Sequence, residues 1–269
     1  MRSRSARSRT LACLAVAALG AANPLSAGFL GFGAPKEADV NVVVDLTEAG
    51  RKVAPPTKEK PAFYYPVLAG YREAGSLVAG EKTPPPNSVA KLLAKALAAQ
   101  HYYVMGAKTP VPTLILVFHW GYMNPQIDDT GDDENPSQIF WNQKEMLALV
   151  AGNTLKNVGA FGFERDDILQ NIRDDRYFVI VSAYDFDAAK EKKKVLLWQA
   201  KMSTPSNRVS LAEVIPSMIT AGGPRFGRET KLPESVTAAL AKEGKVEVGP
   251  AVVVPDSPDK AKPPSPAKK

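Results

Sequence analysis

The residues that come closest to a chemical site in this chain are five carboxylates within seven positions. They are Asp128, Asp129, Asp132, Asp133 and Glu134. Carboxylate oxygens are the ligands that Ca²⁺ and Mg²⁺ prefer in proteins, so this acidic loop is a candidate metal site. Its spacing lacks the alternating ligands of an EF-hand loop. A solvated acidic loop without an ion is the alternative interpretation.

A second candidate lies at the end of an apolar run, where His119 and Trp120 are followed by Gly121 and Tyr122. The run is typical of a strand covered on both faces, and the rim of a sheet often carries binding residues. We therefore predict a binding role for His119, Trp120 and Tyr122. Because the histidine alternates with apolar residues, the alternative is an imidazole packed into the core.

Arg225 and Arg228 lie in a glycine-rich basic loop that spans residues 222–228. Two guanidinium groups can bind an anionic group, so both arginines are predicted binding residues. Phosphate-binding loops more often precede a helix, where free amides converge. A plain connection between two elements is the alternative.

The sequence lacks the residues that several classes of enzyme need. The chain has one cysteine, Cys13, and two histidines, which excludes disulfide frameworks, multi-cysteine zinc sites and iron–sulfur clusters. It contains no G-x-S-x-G pentapeptide, no Walker loop and no G-x-G-x-x-G motif. We predict no catalytic residue and no cofactor.

The first 27 residues have the layout of a secretory signal peptide. Four arginines, from Arg2 to Arg9, precede an apolar run from Leu11 to Ala22, and small residues follow it. The run is too short to cross a bilayer, which takes roughly 20 residues. The alternatives are an uncleaved anchor and a buried first helix. The prediction is an exported bacterial protein, periplasmic or extracellular.

The charge distribution argues against nucleic acid as a partner. The formal net charge is +6, but loss of the four leader arginines would reduce it to +2. The last fifteen residues, 255–269, carry four lysines against two aspartates, so the body between is neutral by count. A neutral body does not attract phosphate backbones. The only partners we can suggest are an envelope protein and, through the tail, an anionic surface; the partner itself stays unknown.

Hydrophobic periodicity predicts the elements that position these residues. Runs of β-branched and apolar residues predict strands at 36–47, 113–122, 177–186, 195–203 and 245–254. Apolar stripes predict helices at 87–100, after Ser137, around 168–172, after Ser210 and at 233–242. Phe63 to Leu68 is expected to form a short edge strand within a proline-rich segment.

These elements predict one α+β domain. Its sheet is mixed or antiparallel with about five strands, and its helices pack mainly on one face. The expected organisation is a signal peptide at 1–27, an N-terminal strand and Pro-rich irregular segment at 28–86, an α+β core at 87–254 and a disordered Pro/Lys tail at 255–269.

The order of a helix, a strand and a hairpin with a Trp-bearing second strand resembles small envelope domains of bacterial lipoproteins of unknown function. The residues that carry the resemblance are the helix at 87–100, the strand at 114–118 and Val195 to Ala200 around Trp198. The chain departs from the pattern because most of its apolar run follows Cys13 instead of preceding it, so it lacks a usable lipid-attachment site. The resemblance implies an exported α/β domain without established enzyme activity.

Three functions follow as hypotheses. The leading one is a non-enzymatic envelope or extracellular module for binding or assembly. The alternative is a carboxylate-dependent hydrolase, assisted by calcium or magnesium, that uses the acidic loop near His119. A third is an assembly subunit that exposes aromatic residues such as Tyr64, Tyr65 and Trp141.

Overall fold

The computed structural model describes residues 37–75, 83–131, 137–159, 161–207 and 209–240. The predicted leader, the predicted last strand and the tail lie outside these residues, as do Asp132, Asp133 and Glu134 of the acidic loop. No helix of the described part is long and apolar enough to cross a membrane.

The strands of the described residues form two sheets. In chain order the strands are β1 (Glu37–Leu46), β2 (Ala62–Ala74), β3 (Tyr102–Val104), β4 (Leu114–Met123), β5 (Ile127–Asp129), β6 (Gln138–Phe140), β7 (Arg176–Asp185), β8 (Leu196–Pro205) and β9 (Glu234–Ala239). The large sheet has seven strands in the order β3-β2-β4-β7-β8-β1-β9, and β5 pairs with β6 in a separate hairpin. β2 runs parallel to β3 and β4, whereas the other neighbours are antiparallel.

The helices lie between the strands along the chain. They are α1 (Glu48–Arg51), α2 (Pro86–Ala98), α3 (Gln143–Val150), α4 (Phe163–Asn171), α5 (Phe186–Lys190) and α6 (Leu211–Gly222), with short 3-10 turns at Gly152–Asn157 and Gly223–Arg225.

The main core lies between one face of the large sheet, here the first face, and helices α2 and α6. Val89, Leu93 and Leu97 are the buried residues of α2, at the spacing that the sequence predicted. Each buried leucine contributes about 1.5–3 kcal/mol through its removal from water. The helix predicted after Ser210 is α6, which begins with a capping box of Ser210 and Glu213, and most of that helix is buried.

A smaller core lies on the opposite face, here the second face. Its buried residues come from α3, α4 and β7: Met146, Leu149, Val150, Ala151, Ile168, Ile172 and Phe178. α3 contacts β8 and β1, and the 3-10 turn Gly152–Asn157 contacts β1. Helices therefore pack on both faces of the sheet.

The predicted fold class is wrong in two respects. The large sheet has seven strands instead of about five, and its second face also carries helices. One missing strand is β9, because residues 233–242 were predicted as a helix. In Glu234–Ala239 the half-buried and exposed residues alternate, and all six pair with β1. In so short a segment, strand pairing outweighs local helix propensity.

The proline-rich segment contains β2, which is longer than the predicted edge strand. β3 pairs with β2 only at Ala62–Tyr64. Pro66 lies beyond that pairing, so the absence of its N–H does not cost a hydrogen bond to β3. The predicted helix after Ser137 also begins later, because Gln138–Phe140 form β6 and α3 starts at Gln143 after Asn142.

Candidate functional site

Part of the second face carries apolar side chains that no described helix packs against closely. Side chains alternate between the two faces along a strand. Phe63, Tyr65 and Val67 of β2 therefore lie on the other face of the sheet from the buried Tyr64. In the same way, Ile115 and Val117 of β4 lie on the other face from Leu114 and Leu116. Tyr103 of β3 lies beside Phe63, with ring centroids 6.1 Å apart. We call the following residues the open patch: Phe63, Tyr65, Val67, Tyr103, Ile115, Val117 and Tyr184.

The strand register aligns the open patch into rows. Tyr65 pairs with Ile115, and Ile115 pairs with Tyr184. The next row runs from Val67 through Val117 to Ser182. Neither row contains a charged side chain, so an apolar surface crosses three neighbouring strands.

Side-chain exposure distinguishes the open patch from the two cores. Tyr65 is 48% exposed and Tyr103 is 40% exposed, while the other patch residues are half-buried. Val104 pairs with the buried Tyr64, so it lies on the first face and outside the open patch. Contiguous exposed apolar surface of this kind marks interaction sites in soluble proteins.

His119 lies on the second face beyond the last patch row. Its ring meets Phe178 edge to face at a centroid distance of 6.0 Å, and no described residue bonds its buried Nδ1 atom. Burial and, to a smaller extent, the nearby positive charge of Arg72 together lower the pKa of His119 to about 4. The imidazole is therefore neutral at pH 7 and packs as a half-buried ring.

Trp120 and Tyr122 point to the opposite face from His119. Both are buried in the main core, and Tyr122 donates its hydroxyl to Asp175 Oδ2 at 2.7 Å. Burial and this hydrogen bond raise the pKa of Tyr122. No described residue bonds the buried Nε1 atom of Trp120. The three predicted binding residues of β4 therefore do not share one surface.

Arg225 and Arg228 lie on the side of the sheet that α6 covers. Arg225 donates through Nε to Glu234 Oε2 at 2.7 Å, so its charge already has a partner. Both arginines line a groove of about 760 Å³ between α6 and the edge strand β9. His119 lies on the second face, so the structure does not bring it together with this basic loop.

The described part of the acidic loop is tied into the β5–β6 hairpin. Asp128 Oδ2 accepts from Trp141 Nε1 at 2.7 Å, and Asp129 Oδ1 accepts from Gln138 Nε2 at 3.0 Å. Within the described ranges, no three side chains of His, Cys, Asp or Glu come together as metal ligands. A metal role for the five carboxylates stays a prediction, since three of them lie outside those ranges.

The three aromatic residues expected on the surface divide between core and solvent. Tyr64 is fully buried against Phe118, and burial raises the pKa of its hydroxyl to about 12. Tyr65 and Trp141 are exposed as expected, but only Tyr65 belongs to the open patch. Tyr103 and Phe63 were not predicted as surface residues, although their strands contain apolar residues on both pleat faces.

The comparisons with known proteins give no family for this chain. No protein-family model matches it, and no curated protein matches it significantly. A solved PDZ domain protein from Parabacteroides distasonis is 9% identical with a TM-score of 0.38, over 76% of this chain and 39% of that one. This chain therefore spans about two fifths of that protein's length.

A PelC dodecamer structure from Paraburkholderia phytofirmans is also similar. It is 11% identical with a TM-score of 0.32, over 71% of this chain and 98% of the PelC chain. At these TM-scores neither likeness carries an argument about function.

Proposed function

We propose that this protein is an exported, non-enzymatic assembly module of the cell envelope or extracellular space, and that its open patch pairs with the open patch of a second copy. The observation that carries the proposal is the uncharged apolar surface across β2, β4 and β7. Burial of apolar surface yields about 25 cal/mol per Å². Tyrosine is also enriched in protein interfaces.

A second copy is the occupant that this surface suits best. In a twofold pair both copies use the same surface patch, and a side chain near the axis meets its own copy, so a charge there would be repelled by its counterpart. The rows through Tyr65 and Val67 contain no charged side chain, and pairing there avoids that repulsion. Two sheet faces can also pack directly, about 10 Å apart.

The wide separation of the candidate catalytic and binding side chains supports a non-enzymatic role. His119 lies on the second face, and Tyr122 points into the main core. Arg225 is paired with Glu234 beside β9. A general acid and base must lie within hydrogen-bond reach of one substrate, and these groups are not arranged around one cleft.

Export is part of the same proposal and rests on the basic and apolar leader at residues 1–27. The N-terminal sequence of the protein recovered from the envelope or culture medium tests it. A new N-terminus near residue 28 would support export. The intact chain in the cytosol would contradict it.

Hydroxyl-radical footprinting tests the pairing surface directly. If two copies pair through the open patch, oxidation of Tyr65 and Tyr103 should fall at high protein concentration. Trp141 is a matched control because it is 64% exposed on the β5–β6 hairpin, outside the patch. Its oxidation should not change. Equal oxidation of Tyr65 at low and high concentration would contradict the proposal.

A further inference from the structure

Arg176, the first residue of β7, is a buried cation that forms no ion pair with another described residue. It is only 1% exposed, and within the described residues no carboxylate lies within 4 Å of its guanidinium. Arginine is almost never fully buried unless it is paired. This residue therefore needs a separate explanation.

Among the described residues, Arg176 donates hydrogen bonds only to neutral acceptors. Nε donates to Ser203 Oγ at 3.1 Å, and Nη1 donates to Asn171 Oδ1 at 2.7 Å and to the Asn171 carbonyl at 3.5 Å. In the described part of the chain, Nη2 makes no hydrogen bond. Burial lowers the pKa of Arg176 to about 10, although the charge of Asp174 opposes this effect. The guanidinium is thus held in place while two of its donors stay unused.

Arg176 lines a cavity of about 390 Å³ beside α4. Val150, Ile168 and Leu232 supply apolar walls. Pockets that take small molecules start at about 300 Å³ and combine apolar walls with a few polar groups. This cavity has both features.

Three exposed carboxylates belong to the same cavity: Asp39, Glu164 and Asp167. Asp39 accepts from Thr237 Oγ1, whereas Glu164 and Asp167 lie on α4. A small dianion would be repelled by these groups. A ligand with separated charges would satisfy both the buried cation and the exposed acids.

We propose that the Arg176 cavity binds a small zwitterion with an aliphatic side chain, of the α-amino acid class. The carboxylate of the ligand would accept from Arg176 Nη2. Its ammonium group would lie near Glu164 and Asp167, and its side chain would pack against Val150, Ile168 and Leu232. This inference is independent of the open patch and goes beyond the proposed assembly function.

Isothermal titration calorimetry with three matched probes tests the charge requirement. L-leucine carries both charges, isocaproate lacks the ammonium group and L-leucinamide lacks the carboxylate. We expect L-leucine to bind at least tenfold more tightly than either of the others. Absence of leucine binding, or isocaproate binding as tight as leucine binding, would overturn the proposal.

Variants of the exposed acids locate the site without disturbing the core. Glu164→Gln and Asp167→Asn should each weaken leucine binding about threefold or more, and neither should weaken the binding of isocaproate, which has no ammonium group. Asp166→Asn is the matched control, since Asp166 lies on the same helix and does not line this cavity. If all three variants bind leucine like the wild type, the proposal fails.

Arg176→Met should abolish leucine binding, and its circular dichroism spectrum shows whether it folds. If the folded variant binds leucine normally, the cavity is not the site. If the variant does not fold, the variants of Glu164 and Asp167 decide the question.

Discussion

The ammonium group of Lys201 lies 2.7 Å from Oδ2 of Asp45 and 2.6 Å from the carbonyl oxygen of Ala148. The side chains of Lys201 and Asp45 are 7% and 14% exposed. The second oxygen of Asp45 accepts from the backbone of Asn153 at 2.8 Å. This network joins β1, β8 and α3, and it holds the small helical layer on the second face.

Removal of one partner of this pair should destabilise the protein strongly. Asp45→Ala leaves the Lys201 charge buried and uncompensated, so we expect the free energy of unfolding to fall by about 3–5 kcal/mol. Urea denaturation measures it. Asp187→Ala is the control, because its pair with Lys190 is exposed and should contribute less than about 1 kcal/mol. If Asp45→Ala and Asp187→Ala lower the free energy of unfolding by similar amounts, the buried pair of Lys201 and Asp45 does not hold α3 in place as stated.

Gly121 allows β2 and β4 to lie side by side. A Cβ atom at this position would overlap the backbone carbonyl of Arg72, which cannot move without breaking the strand pairing. We expect Gly121→Ala to lower the free energy of unfolding by about 1–3 kcal/mol or more. Gly106→Ala is the control, since its nearest neighbour would be Thr109 Cγ2 at 3.9 Å. If Gly121→Ala leaves the free energy of unfolding unchanged, β2 and β4 do not approach each other as closely as described.

The pKa of His119 makes stability depend on pH. It is lowered from 6.5 to about 4 in the folded protein, so between these values the unfolded chain binds more protons. The contribution of His119 is present above pH 6.5 and is lost as pH falls toward 4. Because the ring is only half-buried, we expect a loss of about 1–2 kcal/mol.

His119→Gln should remove that part of the pH dependence, measured by urea denaturation at several pH values. An unchanged pH dependence in His119→Gln would show that other groups are responsible.

The elements that could be predicted are those whose local pattern agrees with their tertiary contacts. Val89, Leu93 and Leu97 recur at helical spacing and are buried, so α2 begins within one residue of its predicted start. The same holds for α6 with its capping box and for β7 and β8, whose predicted runs match the observed strands closely.

The errors come from segments whose structure depends on distant partners. Residues 234–239 form a strand because they pair with the edge of β1. The local sequence of Ser235–Ala238 does not by itself predict a strand. The helices α3 and α4 were predicted, but their packing on the second face was not, because Lys201 and Arg176 are polar and their buried contacts with Asp45 and Asn171 join separate elements. The open patch was missed because alternation alone does not reveal which apolar face a helix covers.

If the protein has the proposed non-enzymatic role and the acidic loop holds no ion, calcium should not raise the melting temperature. Asp128 and Asp129 are engaged by Trp141 and Gln138, and a calcium ion takes six to eight oxygen ligands. Ligands that bind only the folded state raise the melting temperature, which scanning calorimetry measures. If calcium or magnesium raises it, and combined asparagine substitution of Asp128, Asp129, Asp132 and Asp133 removes the effect, the metal-assisted hydrolase becomes the better hypothesis.

Sedimentation equilibrium over a wide range of protein concentrations tests the pairing of open patches most directly. We expect the weight-average mass of the wild type to rise with concentration toward twice that of the monomer. Tyr65→Lys, which places a charge on the exposed patch, should remain monomeric, while Phe163→Lys, at an 87% exposed position outside it, should associate like the wild type. A wild type that stays monomeric at every concentration, or a Tyr65→Lys variant that associates normally, would contradict the account.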